Sequence, residues 1–279
     1  MDGILVIDKE QGVSSHDVVS ELRHILGTRR IGHTGTLDPI ATGALVLCVN
    51  RATSLSQYLT CDDKTYEVEM KFGYKTDSGD RTGTIVKRGP SEIDSNKLGN
   101  VLGSLIGKQK QIPPMYSAVK VNGKKLYEYA RKNQIIEREP RDIEVYDIYN
   151  AFYDDGILRY TIHCSKGTYI RTMCEEIAER LGTYGIMTEL RRTQIGDFTL
   201  NDAVKLSEVT EDKIITLEQL VDKEVTIRQD YLFKLVNGIE IYENLPDGVY
   251  RVYTDNFVKK KFIGVGIIKN KYLKRKILL

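Results

Sequence analysis

The sequence predicts an α+β fold in which strands outnumber helices. Three observations carry this reading. Residues 64–72 alternate strictly, with Tyr66, Val68, Met70 and Phe72 on one side, as a half-buried strand does. Residues 143–152 and 157–164 form two further alternating runs around Asp154-Asp155-Gly156, which signals a hairpin. The few stretches with helical spacing do not alternate one for one with strands, which argues against a β-α-β chain.

In chain order, Ile, Leu and Val make residues 3–9 a short strand. Ser14 and Asp17 fit a capping box for a helix whose apolar face is Val18, Val19, Leu22, Ile25 and Leu26, with Gly27 as its stop. Arg23, Arg29 and Arg30 bring positive charge up to the run Gly32-His33-Thr34-Gly35-Thr36-Leu37-Asp38-Pro39-Ile40-Ala41-Thr42-Gly43. That run holds three glycines, three threonines, one His and one Asp in twelve residues, just before a buried strand at 45–49. Glycine lets a ligand approach the main chain closely, so Asp38 stands where an activated carboxylate can be held. Asp-Pro is also an ordinary turn signal.

Residues 73–83 read as a mobile polar connection and 98–106 as a helix. Pro113-Pro114 interrupts regular structure, 118–121 is extended, Asn122-Gly123 is a turn and 125–132 a short basic helix. After the hairpin, Ser165-Lys166-Gly167-Thr168-Tyr169-Ile170-Arg171-Thr172 is a second Gly-Thr loop leading into a helix that runs to about residue 181. Arg171 near that helix start opposes the helix dipole, a conflict that a nearby carboxylate or phosphate would resolve. Residues 190–193 and 195–200 continue the sheet, and 202–222 are acidic and helix-like. From about Val225, short apolar runs between Asp-Gly and Asn turns suggest a small all-β module with a strongly basic end.

At 279 residues, 41% hydrophobic and 29% charged, the chain can bury one large core and a smaller one. No apolar run approaches the ~18 to 20 residues of a membrane helix. The N-terminus lacks a signal-peptide core, so a cytoplasmic chain is expected. Cys48, Cys61, Cys164 and Cys174 form no CxxC pair and read as reduced thiols, and with four scattered His residues they offer no metal cluster.

The net charge of +2 hides an asymmetry. Residues 108–141 carry nine Lys/Arg against three Glu, residues 251–279 carry nine against one Asp, and the remainder is acidic. Two such segments read as the footprint of a polyanion. Tyr116, Tyr127 and Tyr129 among the cations of the first suit stacking on bases.

The chain lacks a P-loop, a Ser/His/Asp arrangement and a dinucleotide fingerprint. It offers the carboxylate of Asp38, a cationic partner in Arg171, and aromatic walls in Tyr66 and Tyr169. A carboxylate paired with Arg suits attack at a sugar carbon, and an aromatic wall suits a flipped base. Hydrolysis, base exchange and isomerisation all remain open on these residues alone.

The run from Gly32 to Gly43 closely resembles the signature of the bacterial tRNA pseudouridine-55 synthases, the TruB family. The resemblance continues, in collinear order, through Lys64-Thr65-Tyr66, Ile112-Pro113-Pro114-Met115-Tyr116-Ser117-Ala118, Gly123-Lys124-Lys125-Leu126-Tyr127, Ser165 to Thr172 and Leu190-Arg191-Arg192. It therefore spans nearly all of residues 3–200. It implies a mixed, mainly antiparallel sheet with flanking helices over residues 1–224, and a small β-rich, PUA-like RNA-binding domain over 225–279. It implies isomerisation of the T-loop uridine at position 55 of tRNA, by a cytoplasmic monomer with no cofactor or metal and no membrane attachment.

By position, Asp38 matches the family's nucleophile, Tyr66 the aromatic that stacks on the flipped uracil, and Arg171 the partner of the aspartate. Tyr169 and Leu190 match substrate-pocket residues, His33 an RNA-stacking residue, and Lys9 a substrate-side lysine. Residues 108–141 match the insertion that closes over the T-loop arm. Two departures stand out. Glu10 follows Lys9 where the family pattern has Pro, which leaves the support beneath Tyr66 open, and residues 225–279 are short and only weakly similar. Two competing readings are an RNA-binding and folding module, a role that can also accompany catalysis, and an RNA glycosidase. The first is disfavoured by the joint presence of Asp38, Tyr66 and Arg171, the second by the lack of a second carboxylate for water activation.

Overall fold

The structure, a computed structural model, describes residues 1–56, 63–132, 134–255 and 260–278. Cys61 falls outside them. The first half supplies β1 (Gly3–Lys9), α1 (Ser15–Ile25), β2 (Ile31–His33), β3 (Thr42–Val49), β4 (Lys64–Phe72) and the small hairpin β5 (Tyr74–Thr76) and β6 (Ile85–Arg88). Next come α2 (Ser95–Gly103), β7 (Gly107–Gln111), β8 (Lys120–Val121), β9 (Lys124–Lys125) and α3 (Leu126–Ala130). The long hairpin β10 (Arg141–Asp154) and β11 (Ile157–Cys164) leads to α4 (Ile170–Arg180), β12 (Gly185–Ile195), β13 (Phe198–Thr199), β14 (Ile215–Thr216) and α5 (Leu217–Leu220). The chain ends in β15 (Glu224–Arg228), α6 (Gln229–Val236), β16 (Ile241–Tyr242), β17 (Gly248–Asp255), β18 (Lys260–Lys269) and β19 (Tyr272–Leu278).

The main sheet runs β14-β1-β3-β12-β4-β11-β10-β7, with β2 joined to β3 and β13 to β12. Its pairings are antiparallel except where β12 meets β3, in parallel at Arg191–Thr42 and Arg192–Gly43. The mixed, mainly antiparallel sheet with flanking helices expected from sequence is therefore what forms. β1 and β3 are almost continuous apolar runs because both of their faces are covered. Leu5, Ile7, Leu45 and Leu47 pack with the helices that carry Val18, Leu22, Met173 and Ile177. Ile4, Val6, Ala44, Val46 and Cys48 pack on the other face with Leu217, Val265 and Ile277. The C-terminal sheet, ordered β15-β17-β18-β19-β16, is thus docked through a shared core.

Several local expectations change. The sequence reading of 73–83 as a mobile connection gives way to a tied turn. The buried Asp80 carboxylate accepts from Ser78 Oγ at 2.8 Å, Thr82 N at 2.9 Å and Thr82 Oγ1 at 2.6 Å. The acidic stretch 202–222 is not a long helix; it breaks into short 3-10 turns and the four-residue α5. Extended residues at Ala203, Val209, Ile214 and Val221 end each turn before it propagates. The C-terminal module is not all-β, because α6 packs beside β15, β16 and β19. Gly107–Gln111, a polar edge strand, gave no apolar alternation to be read.

Cys48, Cys164 and Cys174 are unpaired and buried, and burial pushes each thiol up to about 12. No helix among the described residues is long and apolar enough to cross a membrane.

At the β3–β12 junction only glycine fits position 43. Its φ is 100°, and a Cβ there would lie 2.2 Å from the Arg192 carbonyl oxygen. Gly43→Ala is expected to destabilise the fold by well over about 1 kcal/mol, since strain adds to the clash. Urea unfolding at fixed pH checks this; a midpoint equal to the unsubstituted protein's would refute it.

Candidate active site

The loop carrying Asp38 spans from β2 to β3, and its shape is set by contacts to the chain's first forty residues. Ser15 Oγ, at the start of α1, donates to Leu37 O at 3.0 Å and accepts from Leu37 N at 2.8 Å. Gly12 N donates to Pro39 O at 2.8 Å, and Gln11 Nε2 to Ile40 O at 3.1 Å. Within the loop, Ala41 N closes a turn on Asp38 O at 3.0 Å. The capping box of Ser14 and Asp17 holds the end of α1 against this loop.

Arg171 enters from the first turn of α4. It is 5% exposed, and its guanidinium grips Asp38 with both arms, Nε to Oδ2 at 2.9 Å and Nη2 to Oδ1 at 3.3 Å. Such two-armed pairs fix orientation as well as charge. The carboxylate 133 positions earlier in the sequence resolves the dipole conflict expected at this helix start. The remaining donors go to main chain: Nη1 to Ser78 O at 3.0 Å and Nη2 to Tyr116 O at 2.8 Å. The Asp80-centred turn holds Ser78 in place for this.

The pair faces a cavity of about 300 Å³ lined by Asp38, Tyr66, Tyr169, Arg171 and Leu190 together with Met187, Ile170 and Arg192. The Asp38 side chain remains 33% exposed to it. Burial pushes the Asp38 carboxyl above its ordinary value, and the nearby Asp80 adds to this, while Arg171 pulls it back down. Burial likewise raises the Tyr66 phenol, with Arg192 opposing. Tyr169 is fixed by Gln111, whose side chain accepts from Tyr169 N at 2.7 Å and donates to Tyr169 O at 3.1 Å.

The structure thus brings five of the seven residues singled out from sequence to one cavity. His33 does not line it. It lies half-buried in β2, one residue before the lining Thr34, and burial lowers its imidazole. Lys9 does not line the cavity either. Expected on the substrate side, it is 1% exposed, and its ammonium donates to Glu10 O at 2.9 Å, Val13 O at 2.8 Å and Pro39 O at 3.5 Å. It clamps the turn after β1 to the Asp38 loop. The Glu10 side chain is exposed, and it is its carbonyl that joins this clamp.

Gln111, Ser78 and Arg192 were not singled out from sequence. The first two act through partners distant in sequence, and no local pattern marks them. Arg192 was visible only as part of Leu190-Arg191-Arg192.

Burial holds the Lys9 ammonium at about 8, below its ordinary 10.5, against the raising effect of Asp38. Between those two pH values the unfolded chain carries a proton on Lys9 that the folded chain has released. Stability contributed by this site therefore rises with pH across that window. Lys9→Met should flatten the stability curve there, as urea unfolding between pH 7.5 and 10 would show; an unaltered slope would exclude the buried-ammonium account.

Two family models match the chain. One described as TruB family pseudouridylate synthase (N terminal domain) covers residues 23–170, and one described as tRNA pseudouridylate synthase B C-terminal domain covers residues 171–242. The tRNA pseudouridine synthase B of Clostridium kluyveri is 38% identical over 282 residues, covering 97% of this chain and 96% of the relative. That of Bacillus subtilis is 46% identical over 216 residues, covering 75% of this chain and 70% of the relative. Among solved structures, a chain in the crystal structure of a Cbf5-Nop10-Gar1 complex matches with a TM-score of 0.69 at 24% identity. That match covers 95% of this chain and 78% of the other, and it speaks to the fold. On these matches, the chain belongs to the TruB family of pseudouridylate synthases.

Proposed function

We propose that Asp38 is the nucleophile with which this chain converts a uridine of tRNA to pseudouridine, and that the uridine is the T-loop residue at position 55. The observation that carries this reading is the two-armed Arg171–Asp38 pair at the edge of a cavity walled by Tyr66, Tyr169 and Leu190. A fixed guanidinium favours the ionised form of the carboxylate, against its burial, and orients it in a desolvated cleft. A uridine inside a folded tRNA reaches such a group only by leaving its stack, and the aromatic and aliphatic walls suit a flipped base.

In this reading Asp38 acts at ribose C1′ as the N1–C1′ bond breaks. The freed uracil turns over within the cavity and a C5–C1′ bond forms. The proton on C5 is lost and N1 gains one, so the product is an isomer and no co-reactant is consumed. Tyr66 stacks on the base and is the phenol nearest the turning ring. His33, beside the mouth, fills the space that the flipped base vacates.

Residues 1–224 form the catalytic unit and 225–279 an RNA-binding unit of PUA type. The basic segment 108–141 closes over the T-loop arm, and Tyr116, whose carbonyl is held by Arg171, ties that segment to the site. The described lining of the cavity comes from one chain, in keeping with a monomeric working unit, and the same reading places that unit in the cytoplasm. Help with tRNA folding would use the same basic surfaces without Asp38.

The test is to map pseudouridine in a tRNA transcript treated with unsubstituted and Asp38→Asn protein. Asn keeps the volume but not the charge, and its amide nitrogen cannot accept the second Arg171 N–H. A loss of more than about a thousandfold in single-turnover rate is expected, with RNA binding retained. Normal conversion by Asp38→Asn would remove the nucleophile assignment; conversion at another uridine would remove the T-loop assignment.

A further inference from the structure

Arg192 is the largest fully buried side chain in the protein, 1% exposed, and it lies in the wall of the cavity next to Tyr66. The two residues are cross-strand partners on β12 and β4. Its guanidinium faces three oxygens: Nε donates to Ala44 O at 2.7 Å, Nη2 donates to Gly35 O at 3.1 Å, and the hydroxyl of the neighbouring Tyr66 feels its charge. Among the described residues no carboxylate pairs with it. A buried cation left to neutral acceptors is costly, and two main-chain carbonyls could be satisfied by far cheaper groups.

We propose that Arg192 is a positioning residue for the reaction: it fixes the Tyr66 hydroxyl and ring against the uracil and couples them to the Asp38 loop through Gly35. The inference rests on the reading of Tyr66 given above. Three features support it. Gly35 is three residues before Asp38, so the guanidinium joins the aromatic wall to the nucleophile's loop. Ala44 lies directly after the β3–β12 junction, which fixes the base of the Arg192 side chain. The guanidinium, which can only donate, offers the Tyr66 phenol oxygen a donor on that side. The positive charge also favours electron density on that oxygen.

Arg192→Lys keeps a charge but cannot span three oxygens. Single-turnover pseudouridine formation is expected to fall at least about tenfold, with the Kd for tRNA within about twofold. The melting losses of Arg192→Lys and Tyr66→Phe should be non-additive, because they share one contact. An unchanged rate, or the same melting loss from Arg192→Lys whether residue 66 is Tyr or Phe, would overturn the proposal. Should Arg192 variants not fold, hydrogen exchange of the Arg192 guanidinium protons decides it with Arg192 intact. Faster exchange in Tyr66→Phe supports the contact, and unchanged exchange overturns it. A Tyr66→Phe protein that reacts at full rate would instead refute the role of Tyr66 itself, whereas a slow Tyr66→Phe with a normal Arg192→Lys refutes only the role of Arg192.

Discussion

The ion pair between Asp38 and Arg171 holds the site together. One buried guanidinium meets four separate segments: the Asp38 loop, the turn at Ser78, the basic segment at Tyr116, and its own helix α4. A buried pair of this kind contributes little net stability against an apolar replacement, yet losing one partner costs about 3–5 kcal/mol. Its presence therefore points to chemistry more than to stability. The fold accommodates it by directing the guanidinium to four fixed oxygens, so the carboxylate stays aimed at the cavity.

Around that pair the chain buries two further cations. Lys9 lies behind the Asp38 loop and satisfies three carbonyls, and Arg192 lies under Tyr66. Both cations are buried, and both hold the loop rather than the substrate. The junction where β12 meets β3 in parallel is what lets them converge, because it brings Arg192 beside Gly43 and the end of the loop. Glu10 follows Lys9 at the turn after β1. The turn is fixed by the lysine ammonium, and the Glu10 side chain is exposed.

Much of this was legible in the sequence where a local pattern carried a physical demand. The alternation of 64–72 placed Tyr66 on the buried face, and a cation at a helix start called for the carboxylate that Asp38 supplies. Long-range pairing left no such mark. Gln111 belongs to a polar edge strand, Ser78 meets Arg171 only through its carbonyl, which accepts, and Arg192 depends on a register between strands far apart in the chain. The clamp formed by Lys9 carried no local mark either, because it depends on a carbonyl thirty residues away. The stretch 202–222 had helical composition but extended residues at Ala203, Val209, Ile214 and Val221 that end each turn. In the C-terminal module, α6 went unread among turn-separated apolar runs.

The most direct measurement is the titration of the Asp38 carboxyl by carbon-13 NMR, assigned by its loss in Asp38→Asn, in the unsubstituted protein and in Arg171→Lys. Burial raises this group and Arg171 opposes the rise. The account therefore predicts a midpoint above the ordinary carboxylate value that moves higher still when the two-armed contact is lost. A midpoint at or below the ordinary value, or one indifferent to Arg171→Lys, would contradict the claim that this pair sets the state of the reacting carboxylate.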